Sequence, residues 1–471
     1  MLMRFVDSIT ANPTVRLDLH DQDVWWVAPG TRLDPPPPKR ARVSTLLADG
    51  AHYPATAYDD RLIQLRLVLQ GLTDNAAATQ IQRLARELDR DGNILQYQPR
   101  AVTHPVFFRT QRLGLSALNA FRVETGYRIE ADIPAEPFAF GVEQDLGTFT
   151  IANDPAAAVA NPTRVDIAGV LGDVEAPTLV KKQVAGAGGL VGLAVNLFTL
   201  RRRGDPSGVP YLLQAEAMTQ GTDTTTQAND AAFSGGSNNW SRCTFGTATL
   251  ATRLSLMQWP ASPSVDARGT YRVFARVRKT VGTDTIRVQL RAGGPESGGV
   301  AAVTLPTVTL PFTTTLHLID LGLVQIPVGV HARSRGPSGV EMAAEGTRVE
   351  LWASRPAGTG SLDVDYLLWV PADDTLALTE LTETWNASGD SGVVFDSSLD
   401  GLYAHRDTGD VVVNNGVGRV SGRLPMLSPG VTNRLYILEG VGPTVANDVA
   451  VSQDWQISYW PRYLHVRPPS T

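Results

Sequence analysis

At 471 residues the chain is too long for one ordinary domain, and its length points to about two to four. Hydrophobic residues make up 43% and charged residues 19%, a globular composition and not that of a disordered tail. The formal net charge of −6 offers no general basic face for nucleic acid or a membrane surface, and the single cysteine, Cys243, rules out an internal disulfide framework and a multi-cysteine zinc site.

No stretch reaches the roughly 18 uninterrupted apolar residues that suggest a membrane span. The opening MLMRFVDSIT has no apolar core ahead of a small-residue cleavage site, so no secretory signal is expected and synthesis in the cytoplasm is. Lysine occurs only at Lys39, Lys181, Lys182 and Lys279 while arginine is abundant, a bias associated with a GC-rich coding genome.

Along the chain, residues 1–140 form the first regime. Val15, Leu17 and Leu19 alternate with polar neighbours, and Pro35 to Pro38 mark a loop, since proline donates no backbone hydrogen bond. Arg61–Gln70 reads as a strand with Ile63, Leu65, Leu67 and Leu69 on one face. A helix follows, with Asp74 as its expected N-cap. Ala78, Ile81, Leu84, Ala85 and Leu88 recur at helical spacing, and Asp91-Gly92-Asn93 stops the helix, glycine being able to take a left-handed position. Strands are expected at Asn93–Gln98, Val106–Arg109 and Phe121–Ala131, which makes this an α+β domain. From about residue 141 helical periodicity disappears. Short alternating runs separated by Gly, Thr, Ser and Pro read as β-sandwich, so the fold class is mainly β. One run is Val165 to Val170. Arg201-Arg-Arg-Gly-Asp-Pro206 and the region of Pro371 to Asp374 look like boundaries, and Tyr211–Val370 between them reads as a complete sandwich, with Tyr271, Val273, Ala275 and Val277 on one face of a strand. No repeat with a period of 20 to 50 residues is present.

Asp59-Asp-Arg-Leu-Ile-Gln-Leu-Arg-Leu-Val-Leu-Gln-Gly71, the capped helix after it and Gly92-Asn-Ile-Leu-Gln-Tyr-Gln98 resemble the N-terminal belt domain of siphophage distal tail proteins. Gly422-Arg-Leu-Pro-Met-Leu-Ser-Pro-Gly-Val-Thr-Asn433 and Ile457-Ser-Tyr-Trp-Pro-Arg-Tyr-Leu464 are similar to the galectin-like half of that family, and Gly172-Asp-Val-Glu-Ala-Pro177 looks like the entry to the same sandwich. The resemblance covers roughly the first 200 and last 95 residues. It implies a ring-forming belt domain over 1–140, a discontinuous galectin-like β-sandwich over 141–205 and 376–471 that is architectural and binds no sugar, and an insert over 206–375. The insert resembles jelly-roll carbohydrate-binding modules through Leu213-Gln-Ala-Glu-Ala217 and Asp363-Val-Asp-Tyr-Leu367. In such modules an opening-strand Glu and a closing-strand Asp hold a structural calcium, which maps onto Glu216 and Asp365. The chain departs from the pattern at Gln214, where an acid is often found, and a hard cation wants six to eight oxygens.

Sugar binding needs exposed aromatic faces with amide and hydroxyl partners. Trp240, with Asn239 beside it in a Ser/Gly/Asn-rich loop, is the first candidate, the alternative being a tryptophan that caps the sandwich edge. Trp259, at a strand end before Pro260, is the second. Trp352 lies in an alternating strand and is expected in the core. Adjacent Trp25 and Trp26 face opposite ways, so one of them calls for cover from a neighbouring subunit. Arg201 to Arg203 read as a solvated linker. No GxSxG, HExxH, P-loop or strand-borne GxGxxG occurs, Gly186-Ala-Gly-Gly189 lacks the strand-turn-helix setting of a phosphate cradle, and no carboxylate pair is marked out for glycoside hydrolysis. The histidines, His20, His104 and His405 among them, are isolated.

The resemblance therefore implies a non-catalytic tail-tip protein of the virion: a homo-hexameric ring joining the tail tube, tape measure and tail-tip hub proteins, with the insert offering several weak sites for a host cell-wall glycan at once. The alternatives are another minor tail, receptor-binding or tailocin protein built of the same modules, which threefold symmetry would mark, and a carbohydrate-active enzyme, which release of reducing ends would mark.

Overall fold

The structure is a computed structural model. It describes residues 1–40, 56–100, 102, 104–113, 118–123, 126–152, 164–183, 195–200, 211–221, 223–234, 238–245, 252–259, 269–295, 303–311, 313–326, 347–371, 377–381, 392–397, 403–406, 418–422, 424–439 and 452–465. Among these the chain is mainly β, with one α-helix and several antiparallel sheets. None of its helices is long and apolar enough to cross a membrane.

The first sheet is organised around Arg61–Gln70. Its odd-numbered Ile63, Leu65, Leu67 and Leu69 are fully buried, and alternate residues face the other way. It pairs along its whole length with Gly126–Ala135, from Gly126 opposite Gln70 to Ala135 opposite Arg61. Gly126 has no room for a side chain, because a Cβ there would collide with the Leu69 carbonyl. The single strand expected over Phe121–Ala131 is instead two paired strands, Leu118–Val123 and Gly126–Ala135, with Val123 opposite Gly126. No Asn-Gly or Asp-Gly separates the arms, so the sequence carries no strong reversal signal.

The helix spans Asp74–Leu88, and its N-cap is Thr73, not Asp74: the threonine hydroxyl accepts from the Ala76 amide. Asp74 is instead the first helical residue, where a carboxylate meets the positive end of the helix dipole, and it accepts from the Tyr127 hydroxyl. Ala77, Leu84 and Leu88 turn inward onto the sheet. Gly92 has φ +61 in the turn that leads into Asn93–Gln98, three residues beyond the Asp89 C-cap.

Residues 460–465 rejoin this first unit. Arg462–Tyr463 pairs with Ala139–Phe140, Tyr463 is buried in the first core, and Arg61 donates to the Leu464 carbonyl at 2.6 Å. The C-terminal strand thus ends on the first sheet. Gly172 permits this return, since a Cβ there would press on the Arg462 carbonyl, to which Asp173 donates its amide.

The second unit interleaves two stretches of chain. Gln144–Ala152, Ser452–Tyr459, Ala176–Gln183, Gly392–Asp396 and Tyr403–Arg406 lie in that order in one sheet, and Arg164–Ile167, Asn433–Glu439 and Val195–Leu200 form another. Val165, Val180, Phe395, Ile437, Trp455 and Ile457 share its core. Between these stretches lies a sandwich of two six-stranded sheets. Leu362–Pro371 is the inner strand of one, flanked by Gly269–Lys279 on one side and by Tyr211–Gln214 and Trp240–Cys243 on the other. Thr347–Ala357 is the inner strand of the other, between Thr252–Trp259 and Thr285–Pro295. Tyr271, Val273, Ala275 and Val277 all enter the shared core. Leu438 of the second unit packs against Phe274, Leu318, Tyr366, Leu368 and Val370 on the far face of the first of these sheets, joining the two units.

Thr73→Ala removes the cap and is expected to lower the stability of the first unit by about 1 kcal/mol in urea unfolding. Cys243 is fully buried, and burial pushes its thiol up to about 12. At neutral pH it should stay unlabelled by Ellman's reagent in the native protein and react fully in denaturant.

Candidate functional site

Of the residues expected to bind a sugar or a cation, Glu216, Asn239, Trp240 and Asp365 lie on or beside the closing strand of the inserted sandwich, and Trp259 belongs to its other sheet. Between Arg276–Val277 and their partners Tyr366 and Val364 the register slips by one residue, which leaves Asp365 as the extra residue of a β-bulge. Leu362, Val364, Leu367 and Trp369 therefore point into the core, while Asp365 is fully buried on the opposite side. Its carboxylate accepts from the Ser234 amide and hydroxyl at 3.1–3.2 Å and from Arg276 Nη1 at 2.5 Å. Arg276 is buried too and also donates to the Ala232 carbonyl. Burial pushes the Asp365 carboxyl up, and the Arg276 charge and the Ser234 bonds oppose it.

Two residues earlier, fully buried Asp363 takes a two-pronged bond from Arg242 at 2.6 and 2.9 Å and a further bond from Arg278, which also reaches Asp230 at 3.1 Å. These ion pairs and Ser234 pin residues 230–234 over the sheet. Phe233 then lies flat on Trp240, with ring centroids 4.4 Å apart and planes 8° from parallel, and Arg278 covers the Phe233 ring.

The expectation of an exposed Trp240 is therefore corrected: the ring is 6% exposed, because Phe233 occupies the face a sugar would need. Asn239 is half-buried, and its Oδ1 has no hydrogen-bond partner. Trp259 ends the strand Thr252–Trp259, and its side chain lies outside the described residues.

The two residues expected to hold calcium lie in different settings. Glu216 is half-buried in the short 3-10 turn Ala215–Ala217, and the charge of Asp365 is met by a guanidinium where the cation was expected. The amide oxygens of Gln214 and Gln220 are buried without a hydrogen-bond partner, yet among the described residues no three Asp, Glu, His or Cys side chains gather. The Asp365 carboxylate is thus taken up by protein donors, with Arg276 as its counter-charge. The arginines responsible stood in the sequence at alternate positions of Tyr271-Arg-Val-Phe-Ala-Arg-Val-Arg278, opposite Asp363-Val-Asp365, but only the register shows that the two sets meet.

Trp352, expected in the core, sits on the outer face of its sheet. Val349, Leu351 and Ala353 take the inner positions, and the bulge between Arg253 and Ser255 lies in the neighbouring strand. Trp25 and Trp26 divide as adjacent strand residues must: Trp25 is buried and Trp26 is 37% exposed, its ring edge-on to His20. Register puts Trp26, Val68, Arg128 and Phe121 in one row across four strands, and Phe121 is exposed as well.

Comparison with protein-family models and with curated proteins gives no match. Among solved structures, the Dit (gp 19.1) protein of SPP1, titled a paradigm of the hub adsorption apparatus in Gram-positive infecting phages, is similar at a TM-score of 0.26 and 12% identity, over 78% of this chain and 98% of that one. A chain of the phage P2 baseplate in its activated conformation with Ca is similar at 0.26 and 8%, over 94% and 99%. Another, from the p2 baseplate with Sr, is similar at 0.22 and 9%, over 77% and 97%. Scores this low do not establish a shared fold.

Removing one partner of a buried ion pair leaves an uncompensated charge. Arg276→Met is expected to destabilise the insert by about 3–5 kcal/mol, and Arg276→Met with Asp365→Leu to recover most of that, measured by thermal unfolding. Melting of the parent protein should not shift on addition of calcium or EDTA.

Proposed function

We propose that this protein is a structural subunit of a phage tail tip, a distal-tail-type ring protein located in the virion. The observation that carries the reading is the way the chain is threaded. Gln144–Ala152 pairs with Ser452–Tyr459, so the second sandwich closes only after another sandwich has been built in between, and the chain then ends on the first sheet. This arrangement agrees with the parts that the belt-like and galectin-like sequence stretches imply, in the order they imply.

In this reading the work of the protein is assembly. Six copies close by head-to-tail contacts, and cyclic closure leaves no unpaired surface to propagate a fibre. The row containing Trp26 and Phe121 suits such a contact: an exposed aromatic surface on a sheet otherwise well packed, beside the charged Arg66, Glu130 and Asp132. The tail tube, tape measure and tail-tip hub proteins are the partners. The insert presents a host-wall glycan site in several copies, so that weak sites act together.

Single-particle imaging of the purified protein tests the reading. A sixfold ring with a central hole and peripheral lobes is the expected result, and threefold particles would favour a receptor-binding fibre instead. Trp26→Glu should prevent ring formation while leaving the melting temperature within about 2 °C of the parent, since the side chain is exposed in the monomer. Release of reducing ends from host-wall polysaccharide would point to an enzyme.

A further inference from the structure

The inserted sandwich has two outer faces, and they differ. One is covered, by residues 230–234 at one end and by Leu438 at the other. The other belongs to the sheet built on Thr347–Ala357 and Thr285–Pro295. On these two strands the inward residues Val288, Leu290, Val349 and Leu351 are buried, and the described outward residues Arg287, Gln289, Arg291, Glu350 and Ser354 are polar around Trp352. Register sets Gln289 opposite Trp352, Arg291 opposite both Glu350 and Thr304, and Arg287 opposite Ser354.

Second contacts fix these side chains in place. Trp352 Nε1 donates to Glu350 Oε2 at 2.8 Å, and Glu350 is 4% exposed. The Arg291 guanidinium lies 4.1 Å from the centroid of the Trp352 ring. Its Nε and Nη2 both donate to Gln289 Oε1, whose amide nitrogen is in turn held by the Leu305 carbonyl and the Thr307 hydroxyl. Arg291 is thereby held over the indole, with no acceptor for its Nη1 among the described residues. Arg287 is exposed on the same face, and neither arginine forms an ion pair among the described residues.

From this arrangement we propose that the Trp352 face binds an acidic glycan, a polysaccharide whose sugars carry carboxylate or phosphate groups. The half-exposed indole supplies an apolar surface for ring CH groups. Arg291 Nη1 and Arg287 supply donors and positive charge for the anionic substituent, and a guanidinium pre-positioned by stacking loses little rotamer freedom on binding. The exposed hydroxyls of Thr304, Thr307 and Thr309 border the face and suit sugar hydroxyls. The two arginines argue for an acidic ligand over a neutral one. The proposal rests on the glycan-binding part of the reading above and not on ring closure.

The test is isothermal titration of the full-length protein with three probes of similar length: an oligogalacturonide for carboxylates, an oligo(glycerol phosphate) for phosphates, and a neutral cello-oligosaccharide. At least one acidic probe should bind, more weakly at high salt, and the one that binds identifies the substituent. Arg287→Gln, at an exposed position that cannot unfold the sheet, and Trp352→Ala should each weaken binding by about tenfold or more with circular dichroism unchanged. Equal binding of the neutral probe, binding untouched by Arg287→Gln, or no binding of either acidic probe at millimolar concentration would overturn the proposal. A sixfold ring that binds neither acidic probe would sink this inference alone, and binding by a protein that forms no ring would sink the ring alone.

Discussion

The long strands of this protein's sheets carry apolar faces that must be hidden, and among the described residues only one helix is available to hide them. In the first unit the helix Asp74–Leu88 covers the face that carries Ile63, Leu65, Leu67 and Leu69. Elsewhere a sheet can be covered only by another sheet, and the chain meets that constraint twice, with Trp455 and Phe395 between one pair of sheets and Tyr271 and Trp369 between another. Because side chains alternate with a period of two, each buried row generates an equally long outward row. What those outward rows carry decides how the units join and what the surface can bind.

The outward row of the closing strand Leu362–Pro371 shows the consequence. It carries Asp363 and Asp365, which are costly to bury unless matched. Arginines on the two neighbouring strands match them, and the same arginines, with Ser234, hold the covering segment that brings Phe233 onto Trp240. Further along the strand the outward row becomes Tyr366, Leu368 and Val370, an apolar patch closed by Leu438. One face of the insert is thus occupied by anchoring, half by ion pairs and half by apolar contact. On the opposite face, among the described residues, Arg287 is exposed and Trp352 is partly so.

The return of the chain end has a similar logic. Arg462–Tyr463 completes an edge beside Ala139–Phe140, and Arg61, buried beneath it, donates to Leu464 and lies over the Phe108 ring. Burial pushes the Arg61 guanidinium down to about 10, the mark of a charge held with little water around it. Tying the last strand to the first sheet brackets the second sandwich between two attachments, so the unit that houses the insert does not hang from a single linker.

Local pattern was enough to place much of this. The strand Arg61–Gln70 and its inward residues, the helix after it, the strands Asn93–Gln98 and Gly269–Lys279 and the mainly β class all follow from periodicity, because alternation and helical spacing are properties of neighbours in sequence. Three things were decided only by tertiary structure. The pairing of Leu118–Val123 with Gly126–Ala135 needed knowledge of which strands pair, since no turn signal of the Asn-Gly or Asp-Gly kind marks the reversal. The inward or outward sense of Trp240 and Trp352 turned on register and on a covering residue, Phe233, seven positions before Trp240, because alternation says that faces differ without saying which face is buried. The partner of Asp365 was fixed by a bulge that brings Arg276 to it across 89 positions of sequence, a distance over which residue type gives no sign of contact.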